Sequence, residues 1–209
     1  MKKNKRWVLL LIIAFPSVFW LILETSTINS RRLPFYGPKK VIKAGDTLFY
    51  ELPPSVIELS GVNNKKGFSR VAMVMLKEYR DDSYRIAGLW EYIQYEKNKL
   101  KDIPVYILGE RALFETDTNM KALGRVEGVT VLTNSADTLK QVADALFKYK
   151  PYYTYPSCLV LIDGTNHVRG YYDARYVAEV KRLTEEYKHL RLREEKNQMV
   201  KDNEITNQH

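Results

Sequence analysis

Short apolar runs alternate along the chain with segments whose apolar residues recur every three or four positions. The short runs indicate strands covered on both faces, and the intervening segments indicate amphipathic helices. The predicted strands are 70–76, 105–108, 129–132, 159–162 and 168–172, and the predicted helices are 83–100, 116–123, 135–146 and a long helix from about residue 174. Ahead of these elements, residues 41–52 predict a short hairpin that turns at 44–46.

The order of these elements predicts an α/β domain. Strands and helices alternate three times and are followed by a second hairpin and a last helix. Right-handed crossovers then give a mixed sheet with helices on both faces, which is a thioredoxin-like topology with one extra βα unit. We place this domain at 41–192, and we expect the charged, polar residues 193–209 to fray into a tail. The predicted buried stripes are Leu139, Val142, Ala143 and Leu146 on one helix, and Val177, Val180, Leu183 and Tyr187 on the last.

The longest apolar run lies near the N-terminus. Residues 7–23 are 17 consecutive residues without a charge, at the short end of what spans a bilayer. Trp7 and Trp20 lie near its ends, and the basic flank 1–6 places the N-terminus in the cytoplasm. We predict one N-terminal transmembrane helix, an uncleaved signal anchor, followed by a linker at 24–40. A cleaved signal peptide is the alternative.

The distribution of charge argues against a nucleic-acid partner, and the absence of glycine-rich motifs argues against a phosphate-binding loop. The formal net charge is +8, but from residue 24 onward the chain has 29 basic and 25 acidic residues, spread evenly. No dense basic stripe with interleaved aromatic residues is present, so we expect no nucleic-acid partner. Neither glycine-rich phosphate motif, GxGxxG or GxxxxGK[ST], occurs.

The chain has a single cysteine, Cys158, so it cannot form an intramolecular disulfide. Cys158 opens an apolar strand, where a buried, small apolar side chain is expected. The three histidines, His167, His189 and His209, are far apart in sequence, and we predict surface positions for them. We therefore expect no metal, no cofactor and no catalytic residues.

Three segments resemble the Sco/SenC family in its bacterial, membrane-anchored form. LVLIDGTNHVRGYYDARYVAEVKRL resembles the closing hairpin and helix of that family, RRLPFYGPK is similar to the segment after the anchor, and GVTVLTNSADTLKQVADALF resembles the strand and helix before the metal-ligand loop. The resemblance covers about residues 33–190. It implies a thioredoxin-like copper chaperone of the bacterial inner membrane, with its C-terminal domain in the periplasm and a role in cytochrome oxidase assembly.

The residues that carry the family's chemistry are missing. The family uses a CxxxC motif after the first core strand and a histidine before the strand that ends in an acidic residue. These positions fall at or near Tyr79, Ser83 and Tyr155, and one cysteine cannot restore two thiolates. Further tyrosines are predicted around this degenerate site: Tyr84, Tyr149, Tyr152 and Tyr153. They form either a surface for a protein partner or the filling of the vacated site.

These observations predict a non-catalytic, membrane-anchored, protein-binding accessory or assembly factor. Its expected partner is a respiratory oxidase or one of the oxidase's assembly factors, a link that rests on the resemblance alone. Two alternatives remain open: a copper- or thiol-active protein that uses Cys158 with a partner, and a structural subunit of a membrane complex.

Overall fold

The structure is a computed structural model, and it describes residues 15, 16, 18–20, 33–41, 47–62, 67–76, 85–96, 100–152, 154 and 158–206. The chain divides into two compact units, Met1–Leu33 and Pro34–His209. Most of the predicted membrane segment 7–23 lies outside the described residues; its described part is helical, with Phe15 stacked on Phe19 at 6.3 Å between ring centroids. Within the described ranges, no helix has both the length and the apolar character needed to cross a bilayer.

The unit Pro34–His209 contains the predicted α/β domain. Its described strands are β1 (Lys39–Val41), β2 (Thr47–Phe49), β3 (Arg70–Val74), β4 (Val105–Gly109), β5 (Val129–Thr133), β6 (Leu159–Ile162) and β7 (Val168–Tyr172). Its described helices are α1 (Pro54–Ser60), α2 (Ala87–Tyr95), α3 (Arg111–Thr116), α4 (Thr118–Leu123), α5 (Ala136–Phe147) and α6 (Val177–Thr206).

Strand pairing confirms the predicted mixed, thioredoxin-like sheet. Five strands pair in the order β5-β4-β3-β6-β7. Strands β3, β4 and β5 are parallel, as crossover connections require, whereas β6 runs antiparallel to β3 and β7 antiparallel to β6. Strands β1 and β2 form the predicted antiparallel hairpin as a separate ribbon.

Helices cover both faces of this sheet. Tyr171 and Tyr172 are consecutive on β7, so their side chains point to opposite faces. The Tyr171 hydroxyl donates to the carbonyl of Leu146 on α5 at 2.8 Å, and the Tyr172 hydroxyl donates to Glu186 on α6. Helix α5 therefore packs on one face and α6 on the other. All four residues of the predicted α5 stripe are buried in a cluster with the sheet.

Helices α2 and α6 meet at a glycine. A methyl group on Gly88 would overlap the backbone of Tyr176 and Val177, so only glycine allows this approach. The backbone N–H of Leu89 donates to the carbonyl of Ala174 at 2.9 Å across the same contact. The described start of α2 thus lies directly against the start of α6.

Two helical assignments differ from the sequence pattern. The helix α1 is not predicted, because Pro53 and Pro54 indicate only the end of the β1–β2 hairpin. Pro54 is compatible with the first turn of a helix, and Gly61 closes α1 in the left-handed conformation with φ +69°. The helix predicted over 116–123 is present as α4 but begins two residues later, after Asp117, whose Oδ1 accepts the first backbone N–H groups of α4. The preceding helix α3 is not predicted.

The prediction that residues 193–209 fray into a tail is wrong, because α6 continues through Thr206. Its Glu194 carboxylate accepts hydrogen bonds from the Ser69 backbone N–H (2.8 Å) and hydroxyl (2.6 Å), and from the Gly164 N–H (2.8 Å). These bonds fix the helix against the start of β3 and the β6–β7 turn. A polar helix of this length is stabilised by such tertiary contacts, which sequence periodicity does not register.

Candidate functional site

The sheet register shows which strand ends lie together. Met73 of β3 is opposite Leu159 of β6, and Leu159 is opposite Tyr172 of β7. The last residues of β3, the first of β6 and the last of β7 therefore lie together, and we call this the cavity end of the sheet. The opposite end, which carries the β6–β7 turn at 163–167, is the turn end.

The predicted site residues are divided by what the structure describes. Tyr79, Ser83, Tyr84, Tyr153 and Tyr155 lie outside the described residues. The segments on either side of them, at Leu76, Arg85, Thr154 and Cys158, are described and belong to the cavity end. Of the other predicted residues, Tyr149, Tyr152 and Cys158 are described.

Cys158 is part of the hydrophobic core. Its side chain is 0% exposed and belongs to an apolar cluster with Val74 and Val160. Burial raises the pKa of its thiol to about 12. At neutral pH the group is a neutral thiol, whereas both nucleophilic attack and metal ligation require the thiolate. The sequence-based expectation of a buried, apolar role for this cysteine agrees with this position.

The residues present do not fit the copper centre that the resemblance implies. Two thiolates and an imidazole are needed, and the chain supplies one buried thiol. His167 lies beyond the other end of β6, at the turn end, and His189 is exposed on α6. Among the described residues, no three histidine, cysteine or carboxylate side chains are grouped to hold a metal ion.

Tyrosines concentrate at the cavity end. Tyr36 packs edge-to-face on Tyr171, with ring centroids 4.9 Å apart, and Tyr50 packs on Tyr149 at 4.6 Å. Burial raises the pKa of Tyr171. It also raises the pKa of Tyr50, whose side chain is less completely buried. Tyr152, by contrast, is 96% exposed. The predicted tyrosine surface thus contains a ring packed against a neighbour, Tyr149, and a ring that faces solvent.

A cavity of about 600 Å³ opens beside these rings. Four segments supply its walls: residues 34–38 before β1, which we call the strap, the loop before β6 with Pro151 and Thr154, the end of β7, and the start of α6. Among the residues that the structure describes, its aromatic and charged lining consists of Tyr36, Tyr171, Tyr176, Asp173, Glu179 and Arg182. We call it the tyrosine cavity. Its volume lies within the range of small-molecule sites.

The charged groups of the tyrosine cavity are held by short contacts. Asp173 and Arg175 form a bidentate ion pair, with 2.6 Å between Nη2 and Oδ2. Arg182 donates to Glu179 Oε2 at 2.7 Å and to the Tyr171 carbonyl at 3.2 Å. These contacts orient the side chains while leaving Glu179 partly open to solvent.

Sequence reasoning missed most of this lining. Tyr36 lies in LPFYG, and Tyr171, Asp173 and Tyr176 lie in GYYDARY, two segments that carry the family resemblance. Their density of tyrosine was a signal that would have marked them. No local pattern relates residue 36 to residue 171, because their contact depends on how the strap crosses β7, where the Tyr36 N–H donates to the Val168 carbonyl at 3.1 Å.

The turn end contains a buried ionic network instead of a cavity. Asp163 Oδ2 accepts from Arg169 Nη1 at 3.0 Å, and both side chains are 6% exposed. Asp163 Oδ1 accepts the N–H groups of Thr165 and His167 at 2.9 Å each, and Arg70 donates to the Asp163 carbonyl at 3.2 Å. This network stabilises the turn rather than opening a site.

The predicted surface position of His167 is wrong. Its ring Nδ1 lies 2.8 Å from the Thr165 hydroxyl and 3.4 Å from Asp163 Oδ1. The ring also packs edge-to-face on Phe35, at 5.3 Å between centroids, which in turn stacks on Phe49 at 3.8 Å. His167 is therefore part of the contact that holds the strap and the β1–β2 hairpin on the domain.

Comparison with solved structures finds several proteins to which this chain is similar at low sequence identity. No family model matches the sequence, and no curated protein matches it. A SCO1/SenC family lipoprotein from Bacillus anthracis is 16% identical, with 77% of this chain and 98% of that chain covered and a TM-score of 0.45. Copper-bound ScoI from Bradyrhizobium japonicum is 12% identical (74% and 99% covered, TM-score 0.39). A thioredoxin family thiol:disulfide interchange protein from Chlorobium tepidum is 15% identical (76% and 98% covered, TM-score 0.38). Sco/SenC proteins are thus among the solved structures that this chain is similar to.

Proposed function

We propose that this protein is a non-catalytic, membrane-anchored binding protein with a thioredoxin-like domain. The observation that carries the proposal is the position of Cys158. The chain's single thiol is in the core with a pKa near 12, so the domain has no thiolate to attack a disulfide or to hold copper. With that chemistry absent, what the cavity end offers is a surface for another molecule.

The shape of the cavity end supports protein binding. Tyr152 projects almost fully into solvent, next to a cavity walled by further tyrosines. Tyrosine is enriched in the energetic centres of protein interfaces, because it buries a large apolar area and keeps a hydroxyl for hydrogen bonding. The Lys148 amine lies 5.5 Å from the Tyr149 ring, within the range of a cation–π contact.

The setting that we propose follows from the sequence. The apolar run 7–23 anchors the protein in the bacterial inner membrane, with the domain on the periplasmic side. The partner is a respiratory oxidase or one of its assembly factors, a link proposed from the Sco/SenC-like motifs. A reporter enzyme fused after Gln208 tests the orientation: it should be active only outside the cytoplasm, and activity inside would contradict the proposal.

Site-specific crosslinking tests the binding surface. A photoreactive benzoylphenylalanine replaces Tyr152 in the full-length protein in its native membrane, and the control replaces Tyr95, which is 81% exposed on α2. We expect a defined crosslinked partner from position 152 and none from position 95. Equal crosslinking at both positions, or none at 152, would overturn the proposed surface.

Copper titration separates binding from catalysis. The full-length protein in mild detergent is titrated with Cu(I) in competition with a chromogenic chelator, beside the Cys158→Ser variant. We expect no stoichiometric, tight binding by either protein. Tight binding by the wild type that is lost in Cys158→Ser would instead support a copper- or thiol-active protein.

A further inference from the structure

We infer that β5 pairs edge to edge with β5 of a second copy of this chain, so that two domains share one continuous sheet. This pairing is separate from the proposed function, because β5 lies at the edge of the sheet opposite β7 and the tyrosine cavity. The direction of its backbone groups, the lack of edge protection and a register in which the strand matches itself lead to this partner.

In the described part of the chain, β5 has a partner strand on one side only. In its parallel ladder with β4, the Val105 N–H donates to the Gly128 carbonyl at 2.9 Å. Because the hydrogen-bonding direction alternates along a strand, this register directs the N–H and C=O groups of Val131 and Thr133 away from β4. Within the residues that the structure describes, these outward groups have no hydrogen-bond partner.

The two edges of the sheet differ in how they are protected. At β7 the strap covers the edge, since the Tyr36 N–H donates to the Val168 carbonyl at 3.1 Å. The β5 sequence VTVLT contains no charged residue and no proline, and its ladder with β4 has no bulge. Proteins usually block an exposed edge with one of these devices, because an unpaired edge is a template for another strand. The β5 edge is therefore suited to strand pairing.

The side chains of β5 add apolar surface to this edge. Val131 lies against Gly124, after α4, and Leu132 lies against Gly61, after α1. The two residues are consecutive, so they point to opposite faces of the sheet. Both are only partly buried. Pairing with another strand would cover apolar surface on both faces as well as the backbone groups between them.

A second copy supplies a matching edge. Two identical edges related by a twofold axis pair in antiparallel fashion. An axis at Val131 places Val131 opposite itself and Val129 opposite Thr133 of the other copy. The Val129 N–H already donates to the Val126 carbonyl at 3.1 Å, so it does not take part. The expected bonds are then two between the Val131 residues and one from each Thr133 N–H to the opposite Val129 carbonyl.

The same register avoids opposing like charges. Residues 128–135 carry no charge. Beyond them, Glu127 lies toward Ser135 of the other copy, and Arg125 lies toward Asp137, which is exposed at the start of α5. Like charges directly opposite each other destabilise a strand pair, whereas opposite charges stabilise it. Along this edge the chain is complementary to itself, which favours a second copy over an unrelated strand.

Cysteine crosslinking tests the register on the full-length protein in mild detergent. In a Cys158→Ala background, Val131→Cys places two thiols opposite each other on the axis. The control Thr133→Cys places them about 14 Å apart, four residues along the strand and beyond the reach of a disulfide. We expect mild oxidation to give a disulfide-linked dimer from position 131 and none from position 133. No dimer from position 131, or equal dimer from both positions, would overturn the inference.

Proline variants test the backbone bonds. Val131→Pro and Thr133→Pro each remove an N–H that points away from β4, so the bonds to β4 are kept. Each should raise the dissociation constant of the dimer at least about tenfold, measured by analytical ultracentrifugation of the full-length protein in mild detergent. The control Thr133→Ala keeps its N–H and should dimerise as the wild type does.

Circular dichroism verifies that each proline variant is folded, and the crosslinking experiment does not depend on these variants. A folded proline variant that dimerises as tightly as the wild type would show that the anchor or another surface holds the two copies together, and would overturn the inference. A wild-type protein that stays monomeric would overturn it as well. Capture of a partner from position 152 is independent of both results, so the proposed function can stand where the β5 pairing fails.

Discussion

The two ends of the same sheet use polar side chains in opposite ways. At the turn end, Asp163 and Arg169 are both buried and are neutralised by each other and by the surrounding backbone. At the cavity end, Asp173, Glu179 and Arg182 surround an opening and keep contact with solvent. Burying a charge is costly unless its partners are complete, so the buried network of the turn end serves stability. The ion pairs of the cavity end are also formed, but they are more exposed to solvent and so are accessible to another molecule.

Two neighbouring aromatic residues also belong to different ends of the sheet. The strap residue Phe35 is fixed at the turn end, with its ring 3.7 Å from the Arg169 guanidinium, and the next residue, Tyr36, forms a wall of the tyrosine cavity. One short segment therefore connects the two ends. The turn end fixes the strap, and the strap positions the cavity wall.

The largest expected effect is the loss of the buried carboxylate at the turn end. Asp163→Asn leaves the Arg169 guanidinium buried without its counter-ion, which typically costs about 3–5 kcal/mol. The matched change at the cavity end, Asp173→Asn, weakens a bidentate ion pair that is somewhat more exposed, and it should cost less, about 1.5–3 kcal/mol. Urea unfolding of the full-length variants, followed by tryptophan fluorescence, measures both. Similar losses at the two positions would contradict the contrast between the ends.

A smaller loss is expected from the helix that closes the turn end. Glu194→Gln weakens the bonds from Ser69 and Gly164 to a charged acceptor, so the free energy of unfolding should fall by about 1.5–3 kcal/mol. The control Glu185→Gln, at an exposed position on α6, should change it by less than about 0.5 kcal/mol. An unchanged stability for Glu194→Gln would mean that residues beyond 192 do not contribute to the fold.

A pH-dependent effect of about 1 kcal/mol is expected in the core of the cavity end. At pH 8, Cys158→Ala should destabilise the protein by about 1 kcal/mol through the lost sulfur contacts. The Cys158 thiol has its ordinary pKa of 9.0 in the unfolded chain and a pKa of about 12 in the folded protein. Above pH 9 the unfolded wild type therefore loses this proton while the folded protein keeps it. By pH 10 this lowers the free energy of unfolding of the wild type by about 1.4 kcal/mol, whereas the variant, which has no thiol, shows no such change.

The test is the difference in unfolding free energy between wild type and Cys158→Ala from pH 7 to 10. The difference should shrink as pH rises and change sign near pH 10. Buried tyrosines such as Tyr187 also destabilise the fold at high pH, but they are present in both proteins and cancel in the comparison. A difference that stays constant over this range would show that the thiol titrates alike in the folded and unfolded states.

The smallest effect on stability is expected at the most exposed ring. Tyr152→Ala should change the free energy of unfolding by less than about 0.5 kcal/mol, because the side chain is almost fully in solvent. The same variant should weaken co-purification of the partner that crosslinking identifies. A stability loss as large as that of Glu194→Gln would instead make Tyr152 a structural residue.

The sequence pattern predicted much of the fold, because that information is local. Alternation of apolar runs marked all five strands of the sheet, and the three-to-four spacing marked the buried face of α5 residue by residue. The pattern did not predict helical order where a helix is held by a residue that is distant in sequence. The C-terminal half of α6 is polar, and its order depends on Glu194 bonding to Ser69, 125 residues earlier.

The sequence by itself determined what this protein lacks: with one cysteine, no intramolecular dithiol is possible, and an apolar strand start placed that thiol in the core. Tertiary structure alone decided what lies at the cavity end. Tyr36, Tyr171 and Glu179 line one opening only because the strap crosses β7 and α6 begins at the end of that strand. Residue counts and periodicity record which groups exist, whereas packing between distant segments determines which of them meet.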